Sequence, residues 1–242
     1  YKWEEAEKYL LDLYKVDFYK NNIESQIYLL DALINLYMIS NKNDKAKNIL
    51  SEMIKIIEVD KKNIASHRSE YNYCCVARWY YILGNNILSS HYYKLTLNNY
   101  SLTTENEPYH HCFSSFALIG EKKYDKALKS LNHAEKLANK LVDEIHRINV
   151  LLWIECARTL YFIANNDIEN TYLNINKIKK MDAGADGYHF HNDKEKILYF
   201  LYFANSDFDK GFEWYEKFVQ LTKRPCYSMI IDPSCSGARK DK

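Results

Sequence analysis

Two pairs of histidines stand close together in the chain, His110-His111 and His189-Phe190-His191. Imidazoles are the commonest ligands for transition metals, so these residues are the first candidates for chemistry. On a helix, adjacent side chains point about 100° apart, so His110 and His111 cannot easily share one ion. In an extended segment His189 and His191 would face one side, with Asp186 or Asp193 close enough to complete a loop site. A hydrolase or metal enzyme built there is one reading. Two imidazoles are fewer than the ligands a zinc site needs, and a solvated loop explains the same pattern. No metal ligand is therefore assigned.

The other reactive groups point away from catalysis. Six cysteines occur, Cys74, Cys75, Cys112, Cys156, Cys226 and Cys235, with no zinc-finger or C-x-x-C spacing. The first four lie in apolar helical stretches and read as free thiols of a cytoplasmic protein. Cys226 and Cys235 lie in an irregular stretch where they could pair. Carboxylates such as Glu4-Glu5 and Glu105/Glu107 read as solvated surface groups. Phosphate-binding glycine loops, a nucleophile elbow and H-E-x-x-H are all absent. The chain reads as a non-enzyme with no catalytic residue and no cofactor.

Composition narrows the class further. Thirty-three basic and 32 acidic residues give a net charge of +1, finely mixed along the sequence. That balance does not favour direct nucleic-acid binding. No apolar stretch reaches the 18 residues of a membrane span. The chain opens Tyr1-Lys2-Trp3-Glu4-Glu5, without Met or an apolar signal region, which predicts a piece of a longer protein. Only 6 Gly and 3 Pro occur among 242 residues, and they cluster at few places. Long uninterrupted segments between them predict an all-α protein.

The elements that position these residues follow from one recurring frame. Tyr124, Ala127, Leu131 and Ala134 step by 3, 4 and 3, one face of a 3.6-residue helix. The frame returns at Trp3-Ala6-Leu10-Leu13, Ala46-Leu50-Met53, Ser89-Tyr93-Thr96, Ile168-Thr171-Ile175-Ile178 and Phe208-Gly211-Tyr215-Phe218. Its small residues, Ala6, Ala46, Ser89, Ala127, Thr171 and Gly211, lie 40, 43, 38, 44 and 40 apart. Each marks a place where another helix must come close. A second helix precedes each copy after the first. Residues 75–86 and 155–166 align without gaps at an offset of 80, pairing Ala77 with Ala157, Arg78 with Arg158 and Tyr81 with Tyr161.

Helices are expected near 3–17, 24–40, 44–59, 65–83, 87–99, 109–119, 123–141, 145–164, 168–181, 193–204 and 208–222. The Gly- and Pro-free run 123–164 is broken near Val142-Asp143-Glu144, where one apolar stripe ends and another begins; a single bent helix is the alternative. Residues 1–223 form the helical domain, with 182–191 its longest internal linker, and 224–242 form an irregular tail.

This arrangement resembles the tetratricopeptide-repeat (TPR) superfamily, closest in style to the roughly 40-residue repeats of bacterial regulator sensor domains of the maltose-activator type. The resemblance covers nearly the whole chain. It departs from the standard unit in its longer period, in lacking the proline that ends the second helix, and in keeping glycine at the inter-helix turn only at Gly84. It implies a right-handed α-solenoid of antiparallel helix pairs, about five and a half repeats, with a continuous core.

In such arrays the first helix of each pair lines a concave wall. The resemblance assigns to that wall Tyr28, Asp31, Asn35 and Met38; Tyr71, Cys74, Arg78 and Tyr81; Tyr109, Phe113 and Phe116; Leu151, Ile154, Arg158 and Tyr161; and Phe200 and Phe203. Tyrosine, 22 of 242 residues, suits recognition surfaces. Arg78 and Arg158 could grip a carboxylate or another anion, or each could pair internally, Arg158 with Glu155 for instance. Tyr80, Tyr93, Tyr199 and Tyr215 are assigned to inter-helix packing. The expected role is the ligand- or protein-binding domain of a larger cytoplasmic signalling or transcriptional regulator. Its partner is a protein, a peptide or a small ligand, with no membrane contact. The competing reading is a passive scaffold or self-association module.

Overall fold

A computed structural model describes residues 3–16, 22–60, 69–98, 107–181 and 193–222. Eleven α-helices account for the ordered structure among them, and none of the described residues is in a strand. They are α1 (Trp3–Tyr14), α2 (Ile23–Ile39), α3 (Asn43–Asp60), α4 (Ser69–Ile82), α5 (Asn86–Asn98), α6 (Glu107–Gly120), α7 (Tyr124–Ala138), α8 (Glu144–Ala164), α9 (Ile168–Lys180), α10 (Asp193–Ala204) and α11 (Phe208–Thr222). None is long and apolar enough to cross a membrane. The His189/His191 loop, the 224–242 tail and Cys226 and Cys235 lie outside the described residues.

Asp143 decides the ambiguous 123–164 run. Its carboxylate accepts from His146 N at 2.7 Å and caps α8, so two helices form there and not one bent helix. Asn22 and Asp167 cap α2 and α9 in the same way.

Helices pair in sequence, α2 with α3, α4 with α5, α6 with α7, α8 with α9 and α10 with α11. The turn between the partners has one geometry throughout. Asn41, Gly84, Lys122, Asn166 and Ser206 each adopt a left-handed backbone, with φ between 55° and 78°. The N–H of each donates to the carbonyl three residues back. The next N–H donates five residues back: Lys42 to Tyr37, Asn85 to Tyr80, Lys123 to Leu118, Asp167 to Phe162 and Asp207 to Tyr202. This Schellman closure satisfies the carbonyls that a helix end leaves orphaned. The sequence marks the turn with glycine only at Gly84. Elsewhere the conformation is held by Asn, which tolerates it, and by Lys122 and Ser206, which do so at a cost.

The turn also fixes the small residue of the frame. Ala46, Ser89, Ala127, Thr171 and Gly211 each stand five residues after the left-handed position, and each donates its N–H to the first carbonyl beyond it. The second helix then folds back with these residues against its partner. Ser89 Oγ donates to the Ala77 carbonyl at 2.8 Å across the α4–α5 contact. A Cβ added to Gly211 would run into the Phe203 ring on α10. All five are buried. Ala6 is the exception, since it is half-buried and α1 has no fully buried residue.

Apolar clusters fill the spaces between helices. Leu30, Ile34, Met53, Val76 and Trp79 centre one of them, joining α2, α3 and α4. Cys112, Leu131, Val150, Ile154, Ile175 and Leu198 centre another, spanning α6 to α10. Each such aliphatic side chain contributes about 1.5–3 kcal/mol by leaving water. Between the two, the core thins to Ala77, Tyr93 and Ala117. Cys75, Cys112 and Cys156 are buried and Cys74 is partly buried, none of the four in a disulfide.

Candidate functional site

The first helices of successive pairs converge on one hollow beside the thin part of the core. Its volume is about 360 Å³, and its lining comes from α4, α5, α6, α8 and α10. That size is at the lower end of ligand pockets, which run from about 300 to 1,000 Å³. Tyr81, Phe113, Phe116, Trp153, Tyr199 and Phe200 contribute aromatic rings to its wall.

The aromatic rings hold one another in place. Phe113 meets Trp153 edge-on with centroids 5.6 Å apart, and Tyr81 meets Phe116 edge-on at 6.2 Å. Each ring is carried by a different helix from its partner, so the wall is rigid only when the pairs are stacked. Two cations reach the hollow, Arg78 and Lys196, and no carboxylate lines it among the described residues. The Lys196 ammonium lies 5.7 Å from the Trp153 ring centre, a cation–π distance. Arg78 donates from Nη2 to Asp31 Oδ1 at 2.6 Å, and the Trp79 indole N–H donates to the same oxygen at 2.6 Å. Asp31 thereby aims a guanidinium that carries five N–H donors in all. Burial pushes the Cys74 thiol up to about 12 and the Tyr93 phenol well above its ordinary value, so both are neutral at pH 7. The hollow is therefore apolar and aromatic, with the charge of Arg78 balanced by Asp31 and that of Lys196 resting beside the Trp153 ring.

Of the wall residues expected from the sequence, Cys74, Arg78, Tyr81, Phe113, Phe116 and Phe200 line this hollow. The rest are placed elsewhere. Tyr28 and Asn35 are exposed on the same face of α2 as Asp31. Met38, Ile154 and Phe203 are core. Leu151 packs against the core from its edge. Tyr109 is buried behind the wall, stacked on Phe113 at 6.0 Å and edge-on to His146 at 5.4 Å. Tyr161 packs against Tyr124 at 5.7 Å. The side chain of Tyr71 lies outside the described residues.

Arg158 does not join Arg78. Its Nη1 donates to Glu155 at 2.8 Å and its Nη2 to Glu135 at 3.0 Å, and Lys177 adds a second cation to Glu155 at 2.7 Å. The residue of α8 that reaches the hollow is Trp153, five positions earlier. Five residues turn a helix face by about 140°, so Trp153 and Arg158 cannot both face the hollow. The offset-80 match finds equivalent helices and does not fix how each is rotated about its axis. Lys196, Ile197, Tyr199 and Trp153 are lining residues that the wall assignment misses. Tyr93 and Tyr199 both pack between helices, as assigned, and line the hollow as well.

A second constellation lies at the other face of α6. Ligand atoms of Glu107, His111 and His133 all lie within 4.8 Å of one another. His111 and Glu107 are one turn apart on α6, with Nε2 and Oε1 3.8 Å apart, and His133 comes from α7 with its ring 4.5 Å from that of His111. Burial, then the neighbouring His133 and His110, lowers His111 to about 4, so its ring is neutral at pH 7. The signal in the sequence is Glu107-x-x-x-His111 at one-turn spacing. His133 is brought in only by the fold-back of α7.

Comparison with protein-family models, with curated proteins and with solved structures finds no match to this chain.

Proposed function

We propose that this chain is a non-catalytic, TPR-like binding module. In this reading it is a right-handed α-solenoid of about five and a half repeats, serving as the ligand- or protein-binding domain of a larger cytoplasmic regulator. The observation that carries the reading is the aromatic hollow with Arg78 and Lys196 at its wall and no carboxylate among its described lining residues. An apolar body with one negative group complements it, since rings supply contact area, Lys196 supplies the pairing charge and Arg78 offers its remaining N–H donors. A peptide ending in a large apolar residue with a free carboxylate has that chemistry, and so does a small aromatic acid. A cavity of about 360 Å³ has room for one or two side chains and not for a folded surface.

Selection of binders from a random peptide library with free C-termini tests this. The expected winners end in Phe, Leu, Ile or Trp, and Phe113→Ala weakens them at least about tenfold, the loss of one buried aromatic anchor. Winners indifferent to the C-terminus and to Phe113→Ala would overturn the assignment. Self-association through the end helices is the second reading, and the exposed Tyr9 on α1 favours it. Sedimentation at rising concentration separates the two, because a strict monomer removes the scaffold reading.

A further inference from the structure

We propose that Glu107, His111 and His133 form a divalent transition-metal site that ties α6 to α7, with Zn2+ as the fitting ion. Ser130 decides which nitrogen of His111 is available. Its hydroxyl donates to the His111 carbonyl at 2.9 Å, so its oxygen faces His111 Nδ1, 3.5 Å away, with lone pairs only. The favoured tautomer of the neutral ring then carries its proton on Nδ1 and leaves a lone pair on Nε2. That lone pair faces the Glu107 carboxylate at 3.8 Å, too far for a hydrogen bond, beside a ring nitrogen of His133. Three electron-pair donors converge with no proton shared between the two atoms that face each other. A cation placed among them turns that repulsion into coordination.

The donor set fits zinc. Imidazole nitrogen and carboxylate oxygen bind Zn2+ at about 2.0–2.2 Å, which sets ligand atoms of a tetrahedral ion about 3.3–3.5 Å apart. A side-chain movement of a few tenths of an ångström brings Glu107 and His111 from 3.8 Å to that separation, and His133, exposed and within 4.8 Å of both, closes the set by rotating about its side-chain bonds. Hard cations such as Mg2+ and Ca2+ prefer all-oxygen shells, so two imidazoles select against them. Ser130 stands behind His111 as the outer partner that orients a ligating ring. His133 is exposed, so the ion enters from solvent, and three protein ligands leave a fourth position for water. The site does not depend on the peptide-binding reading, since Arg78 and Lys196 take no part in it.

Calorimetric titration of untagged, chelator-stripped protein with Zn2+ tests the site. The expected result is one ion per chain, with affinity reduced at least about tenfold by Ser130→Ala and reduced further by His133→Ala or Glu107→Gln. His133 is exposed, so its variant keeps the fold, and circular dichroism verifies this. Co2+ in place of Zn2+ should give the intense visible bands of a four-coordinate ion in the wild type and lose them in His133→Ala. The double variant His189→Ala/His191→Ala should bind as the wild type does. Absence of stoichiometric binding overturns the proposal, as does binding that survives His133→Ala and Glu107→Gln or that follows His189 and His191.

Discussion

Arg158 Nη1 donates to Glu155 Oε1 at 2.8 Å, across one turn of α8, and this contact takes the guanidinium away from the aromatic hollow. Glu155 is buried and gathers Lys177 and Arg158 on one oxygen, while Asn174 Nδ2 donates to its backbone carbonyl at 3.0 Å. The group joins α8 to α7 and α9. In Glu155→Ala, Arg158 keeps Glu135 and Lys177 is half-exposed, so no buried charge is stranded, and the loss of the charge-assisted hydrogen bonds should cost about 2 kcal/mol of stability. Arg158→Ala should lower the melting temperature and leave peptide affinity at the hollow unchanged. Loss of affinity in that variant would place Arg158 in the site after all.

The turns predict a contrast between two substitutions. Gly84 has a left-handed backbone, and an added Cβ would meet no atom within 4 Å, so Gly84→Ala tests conformation alone. It should destabilise by about 1 kcal/mol. Lys122 holds the same conformation with a side chain, and Lys122→Gly should stabilise by up to about 1 kcal/mol, less the entropy that glycine adds to the unfolded chain. Chemical denaturation of the two variants measures both. Equal signs would mean that the turn geometry is not the controlling term.

Acid should release α1 before the rest. Glu7 accepts from Lys45 at 2.7 Å, Lys42 at 2.9 Å and Tyr37 at 3.1 Å, which ties α1 to α2 and α3. The hydrogen bonds from Lys45 and Lys42 hold its carboxyl at about 2, below its ordinary 4.5. A depressed carboxylate stabilises the fold above its ordinary value, and that contribution is lost as pH falls from about 4.5 through about 2. Hydrogen exchange across residues 3–14 should rise in that window ahead of α8, and Glu7→Gln should show fast exchange already at neutral pH. Uniform protection of α1 down to pH 2 would contradict this.

Much of the architecture was legible in the sequence because it rests on periodicity. The step of 3, 4 and 3 residues marks the second helix of each pair, and its small residues Ala46, Ser89, Ala127, Thr171 and Gly211 are all buried. The turns were not legible, because Asn41, Lys122, Asn166 and Ser206 take a backbone that composition marks only at Gly84. The site was half legible. Arg78, Tyr81, Phe113 and Phe116 follow from their place on first helices. Trp153 in place of Arg158 depends on the rotation of α8 about its axis, which follows from the residues it buries against several neighbouring helices and not from the local pattern. Glu107, His111 and His133 required the contact between two helices, which spacing along one helix cannot give.

The central claim is that the hollow recognises an apolar group through its carboxylate, and a double-mutant cycle tests it most directly. One selected peptide is measured as the free acid and as the C-terminal amide, against the wild type and against Lys196→Ala. The wild type should prefer the acid by about tenfold or more, the worth of a charge-assisted contact, and Lys196→Ala should lose most of that preference. Equal affinity for acid and amide in the wild type, or an acid preference untouched by Lys196→Ala, would contradict it.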